Sequence, residues 1–204
     1  MKKRSFLTVM VSFGILLGGM IFFENSKEPD LSKVKVATAQ AAYESFDSLE
    51  ELENDADLIA LVTFTGERVR DDIKVTDTKY IPLSKSTVKI EKLYKGDENV
   101  NDHIYVYEEA AVDKNTYVNT EGYKWMDESG RYLLFLHKLS NFEGYNILGI
   151  YQGKYNMNVE IPKQYPNTTE GNRKALLDRQ AEYLGNHPRH FRELKKMVME
   201  KYSR

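Results

Sequence analysis

Two segments of this chain, LIALVTFT at 58–65 and RYLLFLH at 131–137, carry apolar side chains at consecutive positions. Successive side chains on an extended backbone point to opposite faces, so such a run needs cover on both sides. Both segments are rich in strand-forming residues, and Glu128-Ser129-Gly130 turns the chain just before the second. Each is therefore expected to be a central strand, the two lying side by side in one wrapped sheet. Other segments alternate instead. In 86–94 Val88 and Ile90 face one way and Lys89 and Glu91 the other, and Lys95-Gly96-Asp97 then turns the chain. In 103–108 Ile104 and Val106 point inward, with Tyr105 and Tyr107 outward. Segments 145–151 and 154–159, separated by Gln152-Gly153, are expected to pair as a hairpin, with Gly149 marking a bulge or sharp bend. Short strands without long helices between them indicate an antiparallel barrel or sandwich, and closure into a barrel hides exposed edges.

The flanks read as helical. A short helix is expected over 45–52, capped by Asp47 or Ser48. Its acidic neighbourhood, Glu50 to Asp57, lacks the spacing of a calcium loop and reads as a solvated face. Towards the end of the chain Asn172 is expected to cap a helix through Leu184, and Pro188 to open a second one carrying Phe191, Leu194, Val198 and Tyr202 at helical spacing. The expected fold is thus mainly β (α+β): a barrel over 43–160, a short N-terminal helix, and a C-terminal helical hairpin over 161–204 packed on it.

The N-terminus sets the expected compartment. Lys2, Lys3 and Arg4 precede an uncharged run over 5–23, about long enough to span a bilayer core as a helix. Positive charge before an apolar run directs the following chain across the membrane, so an extracytoplasmic domain is expected, anchored in the membrane or secreted. Residues 1–23 are a signal anchor or a signal peptide; Ala37-Thr38-Ala39 and Ala39-Gln40-Ala41 supply small-residue cleavage sites. Residues 24–42 are polar and aperiodic, the pattern of a flexible stalk. The chain has no cysteine, which excludes disulfides, thiolate metal sites and a cysteine nucleophile, and suits a Gram-positive type of envelope. A net charge of -2 gives no general attraction for nucleic acid.

The segments ADLIALVTFTGE at 56–67, VKIEKLYKGD at 88–97, HIYVYE at 103–108, SGRYLLFLHK at 129–138 and GIYQGKYNM at 149–157 together resemble small exported Gram-positive proteins with a netrin/tissue-inhibitor-of-metalloprotease-like pattern. That resemblance covers just over half of the chain and implies an OB-like barrel of five or six strands with a flanking helix. It carries little about activity: the eukaryotic inhibitors chelate zinc through an N-terminal cysteine, which this chain lacks.

Familiar chemistry fails on geometry. Ser86-Thr87-Val88-Lys89 spells Ser-x-x-Lys, but residues three apart on a strand face opposite ways. His187 and His190 lack a third ligand nearby, and the adjacent carboxylates Asp71-Asp72 and Glu108-Glu109 diverge on a strand. No catalytic residue, metal site or cofactor is assigned. The candidate ligand-binding residues are Tyr105, Tyr107, Tyr117, Tyr123 and Trp125, which either stack a ligand or form a small core under the 110–128 loop. The candidate basic surface is Arg189, Arg192, Lys195 and Lys196, facing anionic lipid or wall polymer, or simply pairing with Glu193 and Glu200. The expected function is a non-catalytic binding or interaction module at the cell surface, with a protein or wall-polymer partner and no nucleic acid. Its alternatives are an envelope-polymer hydrolase or transferase with a site assembled from separated residues, a protease inhibitor, and an accessory subunit of a membrane complex.

Overall fold

A computed structural model describes residues 29–74, 80–140 and 142–203. The apolar run over 5–23 lies outside the described residues. Among the described residues, no helix is long and apolar enough to cross a membrane.

The first half of the chain contributes β1 (Lys35–Ala39), α1 (Leu49–Asp55), β2 (Leu58–Arg70), β3 (Ile73–Lys74), β4 (Tyr80–Ile81) and β5 (Ser84–Lys95). It is followed by β6 (His103–Glu108), β7 (Ala110–Asp113), β8 (Thr116–Thr120) and β9 (Arg131–Lys138). The chain ends with β10 (Tyr145–Ile147), β11 (Lys154–Asn156), α2 (Thr169–Leu177) and α3 (Pro188–Tyr202).

The two doubly apolar segments pair directly. β2 runs antiparallel to β9, Leu58 opposite Leu136 and Thr63 opposite Arg131. From β2 the sheet continues through β5 and β6 to β10, which lies parallel to β6 and antiparallel to β9. That last pairing closes a five-stranded barrel whose single parallel contact joins its third and fifth strands. The architecture is a mainly-β, OB-like barrel with flanking helices, as the patterning implied.

Both faces of β2 and β9 are buried for different reasons. Leu58, Ala60, Val62, Leu134 and Leu136 point into the barrel beside Val88, Ile90 and Val106. The alternate residues Ile59, Leu133 and Phe135 point outward and are covered by Leu49 and Leu52 of α1 and Phe191, Leu194 and Val198 of α3. Full burial of each such apolar side chain contributes about 1.5–3 kcal/mol. Helix α1 is held at its start by Ser48, whose Oγ accepts from Glu51 N at 3.2 Å, while Glu51 Oε2 accepts from Asp47 N at 2.8 Å.

Four sequence expectations change. Segments 145–151 and 154–159 do not form a hairpin with each other. β10 and β11 instead follow one another along the same edge of β9, because the chain turns outward between them at Gly149 and Ile150, which take φ of 55° and 59°. The stalk over 24–42 is not wholly free. Its residues 35–39 form β1, parallel to β8 in a three-stranded sheet with β7, and Val34 is buried. The first C-terminal helix is capped by Thr168 rather than Asn172 and stops at Leu177 rather than Leu184. Finally, the two C-terminal helices do not make a hairpin. α2 packs on β1 and α3 packs beside α1, so each covers a different side of the barrel.

Candidate functional site

The aromatic cluster is mostly core. Tyr117 and Tyr123 are fully buried and Trp125 is 7% exposed. Tyr117 OH donates to Tyr123 O at 3.2 Å and accepts from Trp125 N at 3.0 Å, and the Tyr117 and Trp125 rings meet edge to face at 4.9 Å. Burial pushes both tyrosine hydroxyls well above their ordinary range. These three residues form the small core under the 110–128 segment and are not exposed for a ligand to stack on. Tyr107 does lie on the outer face of β6. It is nevertheless buried, capped by Phe142 with ring centroids 6.4 Å apart, and its OH donates to Asp71 Oδ2 at 3.2 Å. Tyr105 is half-buried under the Lys85 ammonium, 4.8 Å from the ring centroid.

Glu108 follows the inward phase of Ile104 and Val106, so its carboxylate enters the end of the barrel. Oε1 accepts from Ser86 Oγ at 2.5 Å and from Arg68 Nη2 at 3.0 Å. Oε2 accepts from Tyr123 OH at 2.8 Å and Met126 N at 2.9 Å. The Arg68 guanidinium lies over the Phe64 and Trp125 rings at 4.2 and 4.4 Å and donates to Met126 O at 2.7 Å. A buried charge pair needs this degree of satisfaction to persist. The network fastens β2, β5 and β6 to the 123–126 segment. Ser86 is fully buried within it, so its hydroxyl is closed to a substrate.

Three lysines are buried too. Lys195, expected on the basic surface, is 1% exposed: its ammonium donates to Asn156 O at 2.5 Å and lies 2.9 Å from Glu182 Oε1. Its position on the α3 stripe that packs on the barrel explains the correction. Arg189, Arg192 and Lys196 remain exposed, Lys196 facing Glu200 at 3.8 Å. Lys124 Nζ donates to the carbonyls of Ala175, Asp178 and Ala181 at 3.0, 2.6 and 2.8 Å, closing the C-terminal end of α2. Burial lowers its pKa to about 8. Lys154 stands between the Tyr123 and Tyr132 rings, 5.0 and 5.3 Å from their centroids, and burial lowers its pKa as well.

The most voluminous concavity given among the described residues is a groove beside the barrel. A lobe of about 760 Å³ runs between residues 39–44, the β4 end of the β2–β5 connection and residues 146–150. A second lobe of about 290 Å³ continues between Asp71 and Asp72 on one side and Leu139 and Phe142 on the other. The lobes share Ile73, Leu83, Glu109 and Asn146, and so form one trench. In an OB-like barrel these walls are the first-to-second and fourth-to-fifth strand connections, which position ligands in such folds. Glu109, one residue beyond Glu108, points into the trench. Burial raises its pKa, and a hydrogen bond with Thr120 partly offsets that rise. Asp71 accepts from Tyr107, while Asp72 is clamped by Arg70, whose Nε lies 2.8 and 2.9 Å from its two oxygens. His137 Nδ1 lies 2.9 Å from Asp57 Oδ2.

Sequence reasoning saw Asp71, Asp72 and Glu109 only as carboxylates that diverge, and missed Ile73, Tyr80, Ile81 and Phe142. The available signal was the long connection between two confident strands, where exposed apolar residues have no packing role. Among the described residues no group of His, Asp and Glu could hold a metal ion. His187 precedes α3 without capping it through its side chain, and His190 Nδ1 lies 3.4 Å from Gln152 Nε2. No family model matches the chain, and no curated protein or solved structure matches it either.

Proposed function

We propose that this protein is a non-catalytic binding module, exported and either anchored at the membrane or released, that takes its ligand in the trench between the β2–β5 and β9–β10 connections. The basic and apolar N-terminal sequence supports the location. One observation carries the binding reading. Of the eight large apolar side chains exposed among the described residues, four stand on the lips of this trench: Ile73, Tyr80, Ile81 and Phe142. Exposed apolar residues concentrated around a concave surface mark an interaction site, whereas scattered ones do not. The netrin-like resemblance fits such a module, and the missing cysteine separates it from the zinc-chelating inhibitors.

Photocrosslinking tests this reading. A photoreactive residue at Phe142 of the full chain in its native envelope is expected to capture a discrete partner. The same residue at Val100, exposed elsewhere, is expected not to. Equal capture at both positions, or none at Phe142, refutes the trench as the site.

A second reading, an envelope-polymer hydrolase or transferase, draws on Glu109. Its raised pKa suits a general acid, and Asp71 supplies a second carboxyl group in the same lobe. Turnover of cell-wall polymer that disappears in Glu109→Gln while the fold persists would select this reading over the first.

A further inference from the structure

We infer that a second cleft, apart from the trench, binds a neutral glycan through its hydroxyl groups. Three stretches build its wall: the end of β1 with Glu121, the start of α2, and the turn before α3. They are fastened to one another. Glu121 N donates to Ala39 O at 2.9 Å, and Leu184 N donates to Gly122 O at 2.8 Å. A Cβ at Gly185 would lie 2.6 Å from Glu121 O, so glycine is what lets these walls meet. The cleft holds about 430 Å³, inside the roughly 300–1,000 Å³ of small-ligand sites, and its shape is set before any ligand arrives. Four carboxamides line it, those of Gln40, Asn167, Asn172 and Asn186, together with the Thr38 hydroxyl.

The amides are held in a relay. Asn172 Nδ2 donates to Asn167 Oδ1 at 3.0 Å, and Asn167 Nδ2 donates in turn to Asn186 Oδ1. This fixes which way each amide points, leaving Asn172 Oδ1 as an acceptor and the Asn186 amide as a donor. Among the described residues the Gln40 amide and the Thr38 hydroxyl have no partner, and Glu121, whose Oε1 accepts from Ala41 N at 2.7 Å, keeps Oε2 open. Donors and acceptors thus alternate on one wall. A sugar hydroxyl both donates and accepts and so matches it, whereas phosphate, sulfate or carboxylate needs donors alone. Glu121 is the single ionisable side chain among the eight lining residues; it repels anions and accepts strongly from a hydroxyl. The eight lie within described stretches, their chain neighbours are described as well, and the adjoining Arg173 is engaged by Glu170 at 3.7 Å. Leu184 is the single large apolar side chain, too little cover for an apolar ligand or for the side chains of a peptide.

The test uses the isotope-labelled full chain in a polyoxyethylene detergent, which carries no sugar. Side-chain amide resonances are followed by NMR as chitotetraose, maltotetraose, trigalacturonate or acetyl-tetraalanine amide is added. At least one neutral sugar is expected to shift the Gln40, Asn172 and Asn186 amides saturably, with a Kd of about 1 mM or tighter. Asn172→Ala and Asn186→Ala are each expected to weaken that binding at least about fivefold, whereas Asn54→Ala on α1 leaves it unchanged. Circular dichroism and the unfolding midpoint confirm that each variant is folded, and the shifts in the parent chain test the site without any variant. If neither sugar moves those amides at about 20 mM, the inference fails, as it does if binding is indifferent to both asparagine variants. Trigalacturonate binding as tightly as the sugars rejects the neutral class; the alanine peptide doing so rejects the glycan in favour of a polypeptide. The trench shares only Gln40 with this cleft, so its crosslinking test is decided separately.

Discussion

Replacing Glu108 by alanine removes the acceptor for four donors at once: Ser86 Oγ, the Arg68 guanidinium, Tyr123 OH and Met126 N. The side chains of Arg68 and Glu108 are 6% and 0% exposed, so the guanidinium would lose a buried counter-charge. Breaking a buried ion pair from one side costs about 3–5 kcal/mol. Each further donor left unsatisfied adds about 1–3 kcal/mol, reduced where water enters the space left behind. The expected loss is therefore roughly 4–6 kcal/mol, a large share of the roughly 5–15 kcal/mol that stabilises a typical domain. The chain's single tryptophan, Trp125, packs on Arg68, so urea unfolding followed by its fluorescence reads this region directly. A Glu108→Ala loss below about 1 kcal/mol refutes the assignment of this network as the fastener of the barrel end.

Three further outcomes are expected. Gly122 takes a φ of 82°, and a Cβ there would run into the backbone of Gly185. Gly122→Ala should cost about 2–5 kcal/mol in chemical denaturation, whereas under 1 kcal/mol would show that the 122–185 contact is loose. Because the Lys124 pKa falls from 10.5 to about 8 on folding, the unfolded chain binds the extra proton between those values. Its contribution to stability therefore rises with pH from about 8 to about 10.5, by at most ~3 kcal/mol, and is lost as pH falls back through 8. Subtracting the pH profile of Lys124→Met from that of the parent should isolate this rise; superimposable profiles count against a depressed lysine. Deleting residues 1–39 removes β1 and buried Val34, whereas deleting 1–28 spares both. The longer deletion should be less stable by about 2–4 kcal/mol in thermal unfolding, and equal midpoints would make β1 dispensable.

The barrel was legible because its strands obey simple period rules. LIALVTFT and RYLLFLH are apolar on both faces because one face lines the barrel and the other lies under α1 and α3. The alternation in 103–108 gave that strand its full extent and the inward phase that buries Glu108. What escaped was decided by distant partners. The polar, aperiodic residues 35–39 become a strand only because β8 offers its edge. Tyr107 keeps its outward orientation yet is covered by Phe142, which arrives from a loop about thirty-five residues later. Lys195 looked like surface because it is charged, and is buried because Glu182 and Asn156 O meet its ammonium. The trench was invisible for a related reason: its walls are assembled from connections, where no periodicity reports packing.

The parallel pairing of residues 35–39 with β8 also sets a leash. If the apolar run over 5–23 stays in the bilayer, only the eleven residues 24–34 separate it from the sheet. Fully extended they span at most about 36–40 Å, and any compaction shortens that reach. Residues 39–44, which line the larger lobe, leave the sheet directly from that anchored strand. A tethered copy would thus hold the proposed binding surface within a few nanometres of the lipid headgroups, and would favour partners that are themselves confined to, or emerging from, the same membrane.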